Sequence, residues 1–97
     1  MARPPIHPGE ILAEELEFLD MTASALAREL DVPVNRVTQI LNGERGITAD
    51  TALRLSRWLG TSPDLWLNLQ ARYELRKAEA EVGDEIRLRV RPRMSVA

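Results

Sequence analysis

Residues Thr22 to Asn42 read TASALARELDVPVNRVTQILN, two short amphipathic segments separated by a proline-containing break. Thr22 offers a hydroxyl to the free N–H groups of a first helical turn, and Ala23, Leu26, Ala27 and Leu30 follow at helical spacing. Ala27 is small enough to let two helices cross closely over a short turn. Asp31-Val32-Pro33 then ends the first helix, because proline drives the preceding residue out of helical angles while its own φ suits the start of a new helix. In the second segment the spacing of Val34, Val37, Ile40 and Leu41 predicts a core-facing stripe, leaving Asn35, Arg36, Thr38, Gln39 and Asn42 outside.

Those outward side chains are the types a DNA duplex presents partners for. Asn and Gln pair bidentately with the N6 and N7 edge of adenine, Arg with the O6 and N7 edge of guanine, and Thr with either polar edges or a thymine methyl. A merely solvated helix face would favour Lys and Glu four residues apart, and the second segment contains neither. The stretch 22–42 therefore predicts a DNA-reading helix-turn-helix.

The chain has 97 residues with 44% apolar content, which predicts a single soluble domain with a modest core. Without cysteine it has neither a disulfide framework nor a thiolate metal site, and it fits a reducing compartment. The opening MARPPIHPGEIL carries no long apolar run, and no stretch has the length needed to cross a bilayer. A cytoplasmic location with no membrane partner is the expectation.

The formal net charge of −2 runs against a nucleic-acid role, since phosphate binding is driven by Lys and Arg. Its distribution removes part of the objection. Residues 1–20 carry −4, residues 21–61 carry +1, residues 62–83 carry −1 and residues 84–97 carry +2. The acidity thus sits on the first helix, away from the reading motif. A weakly charged monomer needs a second protomer to double its phosphate contacts, so a homodimer on two half-sites is expected.

Around the motif, Pro8 to Asp20 predicts an opening helix with Pro and Glu in its first turn and Ile11, Leu12, Leu16 and Leu19 as its buried stripe. Asn42-Gly43 suits the left-handed end of the reading helix, and Arg45 in the loop that follows is placed to meet a phosphate. Thr48 caps a fourth helix with Ala52, Leu53, Leu55 and Leu59 on its core face and Gly60 as its stop. Ser62-Pro63-Asp64 opens a fifth, expected to run to about Glu81.

Further motifs resemble one family. His7-Pro8-Gly9-Glu10-Ile11-Leu12, the stretch from Gly46 to Leu55 (GITADTALRL), Ser62-Pro63, and Trp66-Leu67-Asn68-Leu69-Gln70 together resemble the phage-repressor-like helix-turn-helix family, and within it the HigA-type antitoxins. The likeness covers His7 to about Tyr73. It implies an all-α, five-helix fold, a homodimer that represses its own operon on double-stranded operator DNA, and a partner toxin related to RelE-like messenger-RNA interferases that the chain neutralises. It also implies base contacts from Asn35, Arg36, Thr38 and Gln39, and phosphate contacts from Thr22 or Ala23 and from Asn42. Ala23 departs from the Gln that many relatives carry, and neighbouring Ser24 can take over that contact. Arg28, Arg45 and Arg54 complete the expected phosphate set.

Trp58, Trp66 and Tyr73 lie close to or within the fifth helix, where Leu65, Trp66, Leu69 and Tyr73 place apolar groups on more than one helix face. Core packing and a dimer or partner surface are the expected uses, since aromatics that stack on bases come with a basic groove. The tail, DEIRLRVRPR from Asp84 to Arg93, alternates strictly and reads as a strand. It has several open uses: joining the dimer, pairing with the toxin's sheet edge, ordering on binding, lying on phosphates, or fraying as a flexible end. The expected organisation is thus a DNA-binding domain over 1–83 and a strand or flexible tail over 84–97.

No catalytic constellation is legible. His7 is the only histidine and has no ligand or nucleophile near it in sequence, Glu10, Glu14, Glu15 and Glu17 read as a solvated helix face, and no phosphate loop or nucleophile elbow occurs. The expectation is a non-enzyme without cofactor or metal. Besides the antitoxin, a stand-alone transcriptional regulator and a protein-interaction module that has lost DNA binding fit the same residues.

Overall fold

Five stretches of the chain close their backbone hydrogen bonds as α-helices in the computed structural model: α1 (Pro8–Leu19), α2 (Ala23–Leu30), α3 (Val34–Leu41), α4 (Ala49–Leu59) and α5 (Pro63–Arg89). Residues 4–94 are described; 1–3 and 95–97, the outer ends of the two expected segments, lie outside them. Among the described residues there is no strand, and the fold is all-α.

The helix starts follow from local chemistry. Thr22 Oγ1 accepts from Ala25 N–H at 3.1 Å, Thr48 Oγ1 from Thr51 N–H at 3.4 Å, and Ser62 Oγ from Asp64 N–H at 3.1 Å, so α2, α4 and α5 each have a hydroxyl on an otherwise free donor. The turn between α2 and α3 is made by Asp31 in the left-handed region, at φ 57°, with its N–H returned to the Arg28 and Ala27 carbonyls. Gly60, at φ 79°, ends α4 in the same region, where a residue without Cβ pays no steric penalty.

Each helix contributes its apolar stripe to one core: Leu12 and Leu16 from α1, Leu26, Ala27 and Leu30 from α2, Val37 and Ile40 from α3, Ala52 and Leu55 from α4, Trp66 from α5, and Ile47 from the loop before α4. Full burial of one such leucine contributes roughly 1.5–3 kcal/mol, so this shared cluster fixes how the helices lie on one another. α3 packs against both α1 and α2, which presents its opposite face to solvent.

The apolar stripes are narrower than the sequence predicts. Val34 is 45% exposed, Leu53 60% and Leu19 38%. Val34 and Leu19 occupy helix ends that overhang the core, and Leu53 lies on the outer side of α4 beside Arg54 and Arg57.

Trp66 departs in the other direction. Expected on a partner surface, it is only 3% exposed and belongs to the core, with its indole N–H directed to Thr61 Oγ1 at 3.3 Å. Its place on the first turns of α5 puts it beneath α4, and a buried indole needs the polar partner that Thr61 provides.

The strand expected at 84–93 is also corrected: α5 continues through residues 83 and 84 to Arg89. A lone extended segment has no neighbour for its backbone groups, whereas a helix satisfies them internally. Glu85 and Arg89 pair along the helix at 3.5 Å, and Asp84 pairs with Arg87 within the same stretch. At 27 residues α5 leaves the body behind, giving an elongated molecule of 54 × 30 × 21 Å with Leu75, Val82, Ile86 and Leu88 exposed along its outer length.

Candidate nucleic-acid interface

α3 carries the expected reading residues on its outer face. Asn35 is exposed, Arg36, Thr38 and Gln39 are half-buried, and Val37 and Ile40 are the buried pair that anchors the helix. Thr38 Oγ1 donates to the Asn35 carbonyl at 3.3 Å, one turn back along α3. Exposed Val34 joins them at the first position of the helix, a methyl-bearing side chain of the kind that touches a thymine methyl, although its apolar character had assigned it to the core.

Around this face lie the expected phosphate residues. Thr22 and Ser24 are exposed at the N-terminus of α2, where free backbone N–H groups and the helix dipole favour an anion. Arg28 is exposed on α2, Asn42 at the C-terminal end of α3, and Arg45 in the loop that follows, and neither arginine enters an ion pair among the described residues.

Arg54 is differently placed. Its Nε donates to Asp50 Oδ1 at 2.7 Å, and its NH1 donates to the Leu30 carbonyl at 2.9 Å and the Asp31 carbonyl at 3.1 Å, closing the C-terminus of α2 against α4. Three of its donor contacts are thus spent on the protein. Arg36 NH1 reaches the same Asp50 oxygen at 2.7 Å, so one carboxylate joins α3 to α4. Arg54 first and Arg36 second hold the Asp50 carboxyl below the usual carboxylate range, and Asp50 in turn raises the Arg54 guanidinium. The Asp50-to-Arg54 spacing of one helical turn was legible in the sequence; the partnership with Arg36 was not, because those residues lie fourteen positions apart and meet only once α4 is packed against α2.

His7, without a role in the sequence reading, starts α1. Its Nδ1 accepts from Gly9 N–H at 2.8 Å while Glu10 Oε2 accepts from His7 N–H at 2.9 Å, a capping box with histidine in the usual place of serine or threonine. The ring is buried and meets Tyr73 edge-on at 4.8 Å. Burial lowers the His7 pKa, opposed by Glu10 and a hydrogen bond to the Arg45 backbone. The signal was present as a residue with a Glu three positions on, but histidine is not among the common caps.

Of the expected partner-surface residues, Leu65 is exposed, while half-buried Leu69 and Tyr73 line, with Ile6 and Ile11, a cleft of about 230 Å³ between α5 and the start of the chain. No group of three or more metal-binding side chains occurs among the described residues, and no helix there is long and apolar enough to cross a membrane.

Residues 12–66 match the helix-turn-helix family. An addiction-module antidote protein of the HigA family from Coxiella burnetii is 58% identical, with a TM-score of 0.92 over 94% of this chain and 100% of that one. The antitoxin HigA of Pseudomonas aeruginosa, solved with the higBA promoter, is 45% identical, with a TM-score of 0.90 over 93% of this chain and 99% of its own. Virulence-associated protein I of Dichelobacter nodosus is 51% identical over 80% of this chain and 73% of its length. The chain belongs to the helix-turn-helix family and, within it, to the HigA-type antitoxins.

Proposed function

We propose that this protein is a DNA-binding antitoxin repressor that acts as a dimer: α3 enters the major groove of operator DNA in front of its own operon, and a separate surface binds and neutralises a small RelE-like toxin. The observation that carries the DNA reading is the outer face of α3, where Asn35, Arg36, Thr38 and Gln39 stand within two turns on a helix held from behind by Val37 and Ile40. The likeness to HigA of Pseudomonas aeruginosa, a structure that includes its promoter, supports it. Thr22, Ser24, Arg28, Asn42 and Arg45 flank that face at the positions a duplex backbone would follow.

Dimerisation supplies what the monomer lacks. One eight-residue helix reads a few base pairs, and a net charge of −2 supports few phosphate contacts, so two protomers on two half-sites provide both affinity and length of site. Leu75, Val82 and Ile86 on the projecting part of α5 provide apolar area for that association.

The test is co-expression with the small reading frame adjacent to the gene, followed by a gel shift on the shared promoter. Growth arrest by the neighbour alone, rescue and co-purification with this chain, and a salt-sensitive shift of the promoter are expected. A harmless neighbour with an intact shift makes the protein a stand-alone regulator and removes the antitoxin half of the proposal.

A further inference from the structure

We propose that Asp50 is a positioning residue for base recognition: it holds the Arg36 guanidinium in one orientation from which its remaining donors read a guanine edge. This rests on the reading of α3 as the element that enters the groove.

Arg36 is the third residue of α3, its side chain 29% exposed, and it offers five N–H donors in a rigid planar fork. One of them is engaged by Asp50 Oδ1 at 2.7 Å. That oxygen is held by Arg54 Nε at 2.7 Å, and Arg54 is anchored on the Leu30 and Asp31 carbonyls at the end of α2. The chain of contacts runs from the backbone of the turn, through Arg54 and Asp50, to the guanidinium of Arg36. A free arginine side chain on a helix surface samples many rotamers and meets phosphate as readily as base; this one is pinned at one corner.

Stability alone is a weak account of the arrangement. Asp50 is 56% exposed, and ion pairs in water contribute little. A carboxylate beside a reading helix also repels DNA phosphates, which lowers affinity for every sequence. Both features favour discrimination over raw affinity: the pair fixes the geometry of the fork, and the negative charge penalises any docking in which Arg36 does not find a base acceptor.

The experiment selects duplexes from a randomised library with wild type, Asp50→Asn and Arg36→Lys, and compares the preference at each base pair. Asp50→Asn keeps the shape and removes the charge, and Arg36→Lys keeps a charge and removes the fork. Thermal unfolding of each variant accompanies the selection. The expected result is a guanine in each half-site whose preference falls about tenfold in both variants, with the other positions unchanged and non-specific binding by Asp50→Asn tightened. A loss spread evenly over all positions would make Asp50 merely a clamp between α3 and α4 and overturn the inference. An unchanged guanine preference in Asp50→Asn, with wild type still selecting a defined site, overturns it and leaves the DNA-reading role of α3 standing. Wild type that enriches no sequence removes both.

Discussion

Gly9, in the first turn of α1, sits against the Ile40 carbonyl near the end of α3: a Cβ built on Gly9 would lie 1.9 Å from that oxygen. The approach is possible only without a side chain, and it is what brings the start of the opening helix onto the back of the reading helix. Gly9→Ala is expected to destabilise the fold by about 1–3 kcal/mol, because backbone on both sides must move. Urea unfolding measures the loss, and an unchanged midpoint would show that α1 and α3 are not held this closely in solution.

The His7 cap ties stability to pH. Burial lowers its native pKa below the ordinary 6.5, so between the two values the unfolded chain binds more protons than the folded one. Stability is therefore fully present above 6.5 and declines as pH falls through that window towards the lowered native value. Protonation of Nδ1 also removes the acceptor for Gly9 N–H. His7→Asn retains an acceptor without the titration, and unfolding midpoints at a series of pH values between neutral and mildly acidic are expected to flatten in that variant.

Gln70 satisfies a backbone group outside any helix. Its Oε1 accepts from buried Ile47 N–H at 2.8 Å, and its Nε2 donates to Glu74 Oε1 at 3.0 Å. Gln70→Leu leaves the Ile47 N–H without a partner in a buried setting and is expected to cost about 1–3 kcal/mol. Glu74→Ala, on the exposed side, is expected to change stability by about 0.5 kcal/mol or less. Equal effects in calorimetry would rule out Ile47 as the reason Gln70 matters.

Substitutions on the DNA face are expected to separate into two kinds. Gln39→Ala should lose about 1–3 kcal/mol on the operator and relax choice at one base pair. Arg45→Ala should weaken binding to all duplexes alike and reduce the steepness of the salt dependence by about one contact. Salt titrations on operator and scrambled duplex check both, and a sequence-selective loss in Arg45→Ala would move that residue from phosphate to base.

Much of the architecture was legible because it is encoded within a few residues of itself. Thr22, Thr48 and Ser62 each cap their own following turn, and Leu26, Ala27 and Leu30 or Leu12 and Leu16 share a face by helical periodicity alone. The tail misled because strict alternation records only the order of apolar and charged residues; without a neighbouring strand the local hydrogen bonds of α5 prevail to Arg89.

The sequence by itself determined five helices, their starts, the turn between α2 and α3, and the set of polar side chains on α3, since each depends on interactions of short range along the chain. Tertiary structure alone decided which ends of the apolar stripes reach the core, so that Val34 and Leu53 face outward while Trp66 is enclosed. It also decided that His7 meets Tyr73 and that Asp50 gathers Arg36 and Arg54. Those partners are distant in sequence, and their meeting is fixed by how closely the helices pack, down to the missing side chain of Gly9 against Ile40.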